Sequence, residues 1–261
     1  MSKLDELREK IDKIDDQILK LLNRRARIVK KIGDLKSDSK QPTLVPRREF
    51  QILQRLCQNN SGDYPNEGIE STFGEIFAVC RALQHPVETF YLGPKGTYTH
   101  AAAVRKFGHS AVHHPLPGLV QVFREVEKLP RAYGIVPIEN SSEGVVGLTM
   151  DLLLESPLSI VAEVYMPIKH HLLSNSQMKD IRSVYAHAQA VAQCRNWLSK
   201  NLPEAEVQET TSNARGVELA LKRKHGAAIA GQLAAQLYPI HIQHRNIHDR
   251  AGNTTRFIVI G

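Results

Sequence analysis

Residues 4–35 read LDELREKIDKIDDQILKLLNRRARIVKKIGDL, and leucine or isoleucine recurs in this stretch at steps of three or four residues. The apolar positions of this pattern are Leu4, Leu7, Ile11, Ile14, Ile18, Leu21, Ile28, Ile32 and Leu35. Such nearly heptad spacing forms one apolar stripe along a helix, which is typical of helices that pack against other helices. The stretch would form a helix about 48 Å long, which a small monomeric domain cannot cover. We therefore predict a long amphipathic helix that packs against a partner helix.

Two further helical patterns follow the first helix. A break at Ser37–Pro46 (SDSKQPTLVP) precedes a second helix from Arg47 to about Gln58. A polar loop at Asn59–Pro65 then leads to a third helix from about Gly68 to Gln84, and His85–Pro86 ends the section. Because these residues carry no strand pattern, we predict one all-helical domain over residues 1–86.

After Pro86 the pattern changes to short β-rich runs that alternate with helical stretches, which predicts parallel strands with crossover helices. The predicted strands are Glu88–Leu92, Ala132–Pro137, Ser159–Tyr165, Ser183–Ala186, Ala205–Glu209, Ala227–Ala230 and Arg256–Ile260. The predicted helices are His100–Phe107, Leu119–Lys128, Gly147–Leu154, Gln189–Asn201, Asn213–Lys224 and Gln232–Leu237. This second section, residues 87–261, is an α/β domain.

The composition excludes several classes of protein. The chain has 261 residues, with 42% hydrophobic and 23% charged residues, which is ordinary globular usage and fits two domains. No apolar run approaches the roughly 18 to 20 residues of a membrane span, and the start lacks a signal-peptide core, so we expect a cytoplasmic protein that does not contact membranes. Three scattered cysteines and unsupported histidine pairs predict neither disulfides nor a metal site. The net charge of +7 admits nucleic acid as a partner, but acidic residues interleaved along the first helix argue against it.

Cations on the first helix suggest a small polyanion as ligand, although such residues are more often a solvated face. Arg8 lies 17 residues, about 25 Å, before Arg25, whereas Arg25 and Lys36 are about 16 Å apart. An antiparallel pair of these helices would bring Arg8 of one chain towards Arg25 and Lys36 of the other, forming two equivalent pockets. Arg48 and Glu49 open the second helix and Gln84 closes the third, so they could add a cation, an acceptor and an amide.

Four turns at strand ends of the second section carry polar or glycine residues, which favours one shared crevice. The turns are GPKGTY at 93–98, ENSSEG at 139–144, AHAQ at 186–189, which leads to Gln193, and TTSN at 210–213. Each of these four stretches could instead be an ordinary strand-to-helix turn or a helix cap. In the last strand, period two places Thr255 and Phe257 on one face and Arg256 on the other. A hydroxyl and an aromatic ring would then face one pocket.

Residues 1–84 resemble the all-helical chorismate mutase domain through LREKID, NRRARIVKKIGDLK, PRRE and CRALQ. The resemblance implies an intertwined three-helix dimer that isomerises chorismate to prephenate without a cofactor. It also implies the site residues: Arg8, Arg25 and Arg48 bind carboxylates, Lys36 and Gln84 face the ether oxygen, and Glu49 binds the substrate hydroxyl. Val45 and Cys80 stand where the family commonly has Asp and Ser.

Residues 88–261 resemble prephenate dehydratase through GPKGTYT, VPIENSSEG, AHAQ with QC, and TTRF. The resemblance implies two lobes of the periplasmic-binding-protein type, lobe one being 87–168 plus 245–261 and lobe two 169–244. It implies Thr255 as the candidate acid, and it implies that the substrate is bound by Thr97, Asn140, Ser141, Gln193, Arg256 and Phe257. Ala186 stands where the family usually has Ser, and Ala188 where it has Pro.

The chain as a whole resembles the bifunctional chorismate mutase/prephenate dehydratase family, which acts in phenylalanine biosynthesis. Relatives continue into a regulatory ACT domain, which we expect this chain to lack. Two alternatives stay open at this point. The crevice could belong to a binding or sensor module for an aromatic acid, or one of the two active sites could be degenerate.

Overall fold

The computed structural model describes residues 2–38 and 44–261. Its chain divides into a helical unit, Met1–Val87 with Gly108–Ala111, and an α/β unit, Glu88–Phe107 with Val112–Gly261. Among the described residues, no helix is long and apolar enough to cross a membrane.

The helical unit consists of three helices: α1 (Lys3–Asp38), α2 (Pro46–Gln58) and α3 (Asn66–Gln84). These agree with the predicted helices to within two or three residues, and part of the predicted break at 37–46 lies outside the described residues. Helix α3 packs against α1 and α2. Over residues 3–36 of α1, whose burial the structure describes, only Val29 and Gly33 are buried, so most of the apolar stripe is exposed.

The first sheet of the α/β unit has the strand order β2-β1-β3-β11-β5, with β4 on the edge of β3. Its strands are β1 (Glu88–Leu92), β2 (Val112–Leu116), β3 (Tyr133–Asn140), β4 (Gly144–Val145), β5 (Ile160–Pro167) and β11 (Thr254–Ile260). Helix α4 (Tyr98–Phe107) covers one face, while α5 (Leu119–Lys128) and α6 (Gly147–Glu155) cover the other. The core between α5, α6 and the sheet is built from Phe90, Val122, Val136 and Ile258.

The second sheet has the order β10-β6-β9-β7-β8. Its strands are β6 (His171–Ser174), β7 (Ser183–Ala186), β8 (Glu206–Glu209), β9 (Gly226–Ala230) and β10 (Ile242–His244). Helices α7 (Ala188–Gln193) and α8 (Arg195–Asn201) pack on one face, and α9 (Asn213–Lys222) and α10 (Gln232–Leu237) pack on the other.

Both sheets are mixed, which corrects the prediction of purely parallel strands. Strand β11 runs antiparallel to β3 and β5, and β6 runs antiparallel to β9 and β10. The sequence pattern missed four strands: β2, β4, β6 and β10. The predicted helix 189–201 is divided at Cys194, whose backbone angles (φ −115°, ψ 13°) leave the helical range.

A glycine in α9 allows this helix to approach the second sheet closely. A Cβ added at Gly216 would lie 2.5 Å from the carbonyl oxygen of Tyr185 in β7. A backbone atom cannot move away as the end of a flexible side chain can.

We therefore predict that Gly216→Ala destabilises the α/β unit by about 1 to 3 kcal/mol, because α9 must shift away from β7. Gly147→Ala is the matched control, because an added Cβ there meets no atom within 4 Å and alanine favours a helix. Denaturant unfolding of both variants measures the difference. Equal stabilities of the two variants would show that α9 tolerates a larger separation from β7.

Candidate active sites

A groove of about 720 Å³ runs between α1 and α3 of the helical unit. Arg25 forms part of its wall, and its Nη1 donates a hydrogen bond to Sγ of Cys80 at 2.5 Å. The guanidinium carbon also lies 5.5 Å from the centre of the Phe77 ring, so the cation packs against an aromatic face. The remaining wall is mainly apolar: Leu19, Leu22, Ala26, Ile76, Val79 and Leu83.

Two further residues expected at this site lie against α3. Glu49 forms an ion pair with the guanidinium of Arg81, which is almost completely buried. Nε2 of Gln84 donates to the carbonyl oxygen of Cys80 at 3.2 Å, while its Oε1 is buried and accepts no hydrogen bond from the described residues. The Gln84 side chain packs against Gly33, where an added Cβ would come within 3.0 Å of it.

The other predicted cations of this unit are Arg8, Lys36 and Arg48. Arg8 is exposed near the amino end of α1, with Nη1 3.7 Å from Oδ1 of Asp5. Lys36 is half-buried near the end of α1, and Arg48 is exposed on α2. One chain therefore brings Arg25 and Gln84 to the same residue, Cys80, but leaves Arg8 about 25 Å away along α1.

In the α/β unit, residues from all four predicted turns line one cavity of about 220 Å³ between the two sheets. These residues include Thr97 and Tyr98 from the first turn and Asn140 and Glu143 from the second. His187 and Gln189 come from the third, and Thr211, Ser212 and Asn213 from the fourth. Thr255, Asn253, Gln193 and His170 complete the polar wall. Among the residues that line this cavity, none is a lysine or arginine.

Hydrogen bonds connect the polar residues across this cavity. Asn140 Nδ2 donates to Thr255 Oγ1 at 2.7 Å and to Asn253 Oδ1 at 2.9 Å. Asn253 Nδ2 donates to Gln193 Oε1 at 2.9 Å, and Nε2 of His170 lies 2.9 Å from the same oxygen. Because an amide oxygen only accepts, Nε2 of His170 carries a hydrogen. The network therefore runs from the last strand of one lobe to the helix and linker of the other.

The first sheet fixes the Thr255 end of this network. Thr255 of β11 pairs directly with Asn140 at the end of β3, and the register shifts at Arg256/Phe257. The side-chain oxygen of Asn140 accepts hydrogen bonds from the backbone N–H groups of Ser142 and Glu143 at 2.9 and 3.2 Å. The Asn140 amide is thereby held with its nitrogen towards Thr255.

Thr97 and Ser141, expected to bind the substrate, are engaged with backbone groups in this structure. Thr97 Oγ1 lies 3.1 Å from the carbonyl oxygen of Pro94 as a donor and accepts from the backbone N–H of His100 at 3.2 Å. Ser141 Oγ accepts from the backbone N–H of Thr254 at 3.0 Å. Thr97 lines the main cavity, and Ser141 lines an adjoining one with Arg195 and Arg250.

Arg256 and Phe257 do not line the cavity, although Phe257 was expected to face it with Thr255. Arg256 Nη2 pairs with Glu163 Oε1 on β5 at 2.5 Å, which raises the pKa of Arg256 and lowers that of Glu163. Phe257 is 2% exposed and lies in the core. Strand β11 alternates as predicted, since it keeps its register with β5 through Phe257 and the extra residue of the shift, Ile138, lies on β3. Phe257 lies two residues farther along the strand than Thr255 and is buried in the core.

Three residues of the network were not predicted from the sequence: Tyr98, His170 and Asn253. Burial lowers the pKa of His170 to about 4, with the neighbouring His248 and His171 contributing, so the ring is neutral at physiological pH. Burial likewise raises the pKa of Tyr98. Tyr98 lies within the GTYT motif, and Asn253 lies directly before TTRF, so these two motifs could have indicated both residues. His170 follows a strand without any motif. Among the described residues, no group of three or more His, Cys, Asp or Glu could hold a metal ion.

Comparison with known proteins identifies both units. Residues 7–85 match the chorismate mutase type II family, and residues 89–261 match the prephenate dehydratase family. The bifunctional chorismate mutase/prephenate dehydratase of Aquifex aeolicus is 44% identical over all of this chain and 73% of its own length. The protein of that description from Pseudomonas aeruginosa is 39% identical over 99% of this chain and 73% of its own length.

The structural comparison agrees for the α/β unit. The crystal structure of prephenate dehydratase from Arthrobacter aurescens in complex with L-Phe superimposes with a TM-score of 0.62 and 30% identity. The superposition covers 67% of this chain and 60% of the Arthrobacter aurescens chain. Two enzyme families on successive stretches of one chain define a bifunctional enzyme.

The chain belongs to the bifunctional chorismate mutase/prephenate dehydratase family. It has both activities, which serve phenylalanine biosynthesis. The resemblance seen in the sequence, the two-part fold class and the enzyme class are thereby confirmed.

The low pKa of His170 predicts that stability falls in acid. Between pH 6.5 and about 4 the unfolded chain binds a proton on this ring that the folded chain does not bind, so acid favours unfolding. The difference between the two pKa values corresponds to about 3 kcal/mol of unfolding free energy, most of it lost by pH 4. Denaturant unfolding at pH 7 and 4.5 should show a smaller loss for His170→Gln than for the wild type. The same loss in both proteins would contradict the depressed pKa.

Proposed function

We propose that the mutase site combines Arg25, Lys36, Arg48, Glu49 and Gln84 of one chain with Arg8 of a second chain. The observation that carries this proposal is the exposed apolar face of α1. Eleven large apolar side chains of this helix are exposed in a single chain: Leu4, Leu7, Ile11, Ile14, Ile18, Leu19, Leu21, Leu22, Ile28, Ile32 and Leu35. A face of this size marks an interaction surface.

The occupant that fits this face is a second copy of α1. The apolar residues follow nearly heptad spacing, which is suited to another helix of the same pattern. An antiparallel two-fold arrangement covers both stripes at once and brings Arg8 of each chain to the Arg25 end of the other. The homodimer therefore completes two identical sites that neither chain contains alone.

The proposed mutase chemistry needs positioned charge and no nucleophile. Arginines that bind the two carboxylates hold chorismate in the folded conformer in which the reacting carbons approach each other. Negative charge develops on the ether oxygen as its bond to the ring breaks, and Lys36 and the amide of Gln84 stabilise it. Arg25 lines the groove, and Nε2 of Gln84 has a second N–H besides the one donated to Cys80, which supports these roles.

For the dehydratase we propose Thr255 as the proton donor to the departing ring hydroxyl. Thr255 Oγ1 accepts a hydrogen bond from Asn140 Nδ2, so its own hydrogen remains to donate towards the cavity. The bond from the ring to the carboxylate breaks, carbon dioxide leaves, and the electron pair enters the ring. The bond from the ring to the hydroxyl then breaks, and that oxygen leaves as water with the Thr255 proton, which solvent replaces. Aromatisation of the ring drives the reaction.

The other residues of the crevice position the substrate in this proposal. Asn140 and the amide of Gln193 contact the ring and its leaving groups, and the turns of Thr97 and Ser141 hold the side-chain carboxylate. Arg256, through its ion pair with Glu163, and Phe257, buried in the core, hold β11 in place instead of contacting the substrate.

The proposal assigns the mutase to residues 1–86 and the dehydratase to residues 87–261, with lobe one being 87–168 plus 245–261 and lobe two 169–244. Strands from 88–167 and 254–260 in one sheet and from 171–244 in the other support this division into lobes. The proposed compartment is the cytoplasm, in keeping with three free cysteines.

Single substitutions in the two sites should reduce the two activities independently. Arg25→Ala removes a substrate-binding cation and should lower mutase kcat/KM by at least about 100-fold, with dehydratase turnover unchanged. Thr255→Val removes the donor at similar volume and should lower dehydratase kcat by about 100-fold or more, with mutase turnover unchanged. Chorismate loss and phenylpyruvate formation are measured for each. Thr255→Ser, which keeps the hydroxyl, is the control and should retain most of the activity. Wild-type turnover by Arg25→Ala or Thr255→Val would overturn the corresponding assignment.

Mixed dimers test the shared mutase site. Arg8→Ala and Arg25→Ala should each abolish mutase activity, but a dimer with one chain of each kind contains one intact site and one doubly altered site. Random mixing should therefore restore about a quarter of the wild-type specific activity. The chains are co-expressed with two different tags, and the isolated doubly tagged dimers, each with one intact site of two, should show about half of the wild-type specific activity. A mixture that stays inactive would mean that both arginines act within one chain.

A further inference from the structure

His170 is a buried histidine of the dehydratase cavity that the proposed reaction does not use. It lies in the linker between β5 and β6 and is 3% exposed. Its two ring nitrogens face different partners: Nε2 faces Oε1 of Gln193 at 2.9 Å, and Nδ1 faces the hydroxyl of Tyr98 at 3.1 Å. Both nitrogens are therefore engaged with groups that line the cavity.

The partners of His170 determine which nitrogen carries the hydrogen. Gln193 Oε1 is only an acceptor, so Nε2 must donate to it. The ring is neutral because burial lowers its pKa to about 4, so Nδ1 has no hydrogen and faces the hydroxyl of Tyr98 as an acceptor. The single hydroxyl hydrogen of Tyr98 lies within reach of two acceptors, Nδ1 of His170 at 3.1 Å and the carbonyl oxygen of Lys169 at 2.8 Å, and it bonds to one of them at a time. Tyr98 thus contacts the ring from the side opposite Gln193.

Nε2 of His170 and Nδ2 of Asn253 together fix the amide of Gln193. Oε1 of Gln193 receives hydrogen bonds from both His170 and Asn253 Nδ2. If the amide rotated by half a turn, its NH₂ group would face two other donors at hydrogen-bond distance, which is unfavourable. The NH₂ group of Gln193 therefore stays free of both contacts and is available to the cavity that Gln193 lines.

We propose that His170 is a positioning residue of the dehydratase, which holds the Gln193 amide with its NH₂ group towards the substrate. The inference rests on the proposed role of this crevice in converting prephenate. The Thr255 end does not depend on His170, because the Asn140 amide is held separately by the N–H groups of Ser142 and Glu143. Loss of His170 therefore leaves the contact between Asn140 and Thr255 in place and acts on the two partners of the ring, Gln193 and Tyr98.

A donor series at residue 170 tests this role. His170→Leu removes the donor and should lower dehydratase kcat by about 10- to 100-fold, with KM changed less than about threefold, because the misoriented amide loses its contact with the departing groups. His170→Gln places an N–H donor near the position of Nε2 and should restore kcat to within a fewfold of wild type. Equal losses in the Leu and Gln variants, or a loss confined to KM, would overturn the proposal.

His171→Leu is the matched control for this series. His171 is an equally buried neighbour, 3% exposed, but its Nδ1 accepts from the backbone N–H of Asn246 and it does not line this cavity. It should lower the thermal midpoint about as much as His170→Leu while leaving kcat near the wild-type value. A kcat loss as large as that of His170→Leu would assign the effect to packing.

A double variant shows whether His170 acts through Gln193. If it does, Gln193→Leu with His170→Leu should be no slower than Gln193→Leu alone. If the fold-loss of kcat in the double variant equals the product of the two single losses, the positioning role of His170 is overturned. Thr255→Val tests the proposed function separately. If this variant retains full dehydratase activity, the proposed role of Thr255 is wrong, whatever the result of the His170 series. Mutase turnover, measured in every variant, reports on folding of the helical unit, and the thermal midpoint reports on folding of the α/β unit.

Discussion

The α/β unit depends on the insertion of its last strand into the middle of its first sheet. The chain leaves this sheet at Pro167, builds the whole second sheet and returns at Thr254. Strand β11 then pairs with β3 on one side and β5 on the other, and Ile258, Val259 and Ile260 are fully buried. The core of the first sheet is incomplete without this strand.

The same insertion builds the active site. The antiparallel register places Thr255 directly opposite Asn140, so the hydroxyl and the amide meet without a long or flexible connection. A slip of one residue would exchange the faces of Thr255 and Arg256, placing a cation in the cavity and a hydroxyl at Glu163. The ion pairs of Arg256 with Glu163 and Glu139 oppose that slip, which gives this residue a role without substrate contact.

The sequence predicted the elements whose residues repeat with a clear period, and it missed those that tertiary pairing creates. Helix α1 and the buried strands β1, β7 and β9 carry strong patterns. Strands β2 and β10 lie at sheet edges and contain His or Pro, so their pairing depends on the neighbouring strand rather than on their own apolar pattern. At the site, strand-end motifs indicated Thr255 and Asn140. His170 follows no motif, and its role arises only because the fold brings it to Gln193.

The two sites use opposite electrostatics, and the fate of the carboxylates explains the difference. Chorismate keeps both carboxylates during its rearrangement, and new negative charge develops on the ether oxygen, so cations such as Arg25 stabilise the transition state in the proposed mutase site. Prephenate loses its ring carboxylate as neutral carbon dioxide. A cation bound to that group would stabilise the ground state more than the transition state and would slow the reaction. The described lining of the dehydratase cavity accordingly offers hydroxyls and amides, and its only carboxylate, Glu143, disfavours a second anion nearby. A neutral His170 fits the same requirement, because a protonated imidazolium in this wall would favour the carboxylate that has to leave.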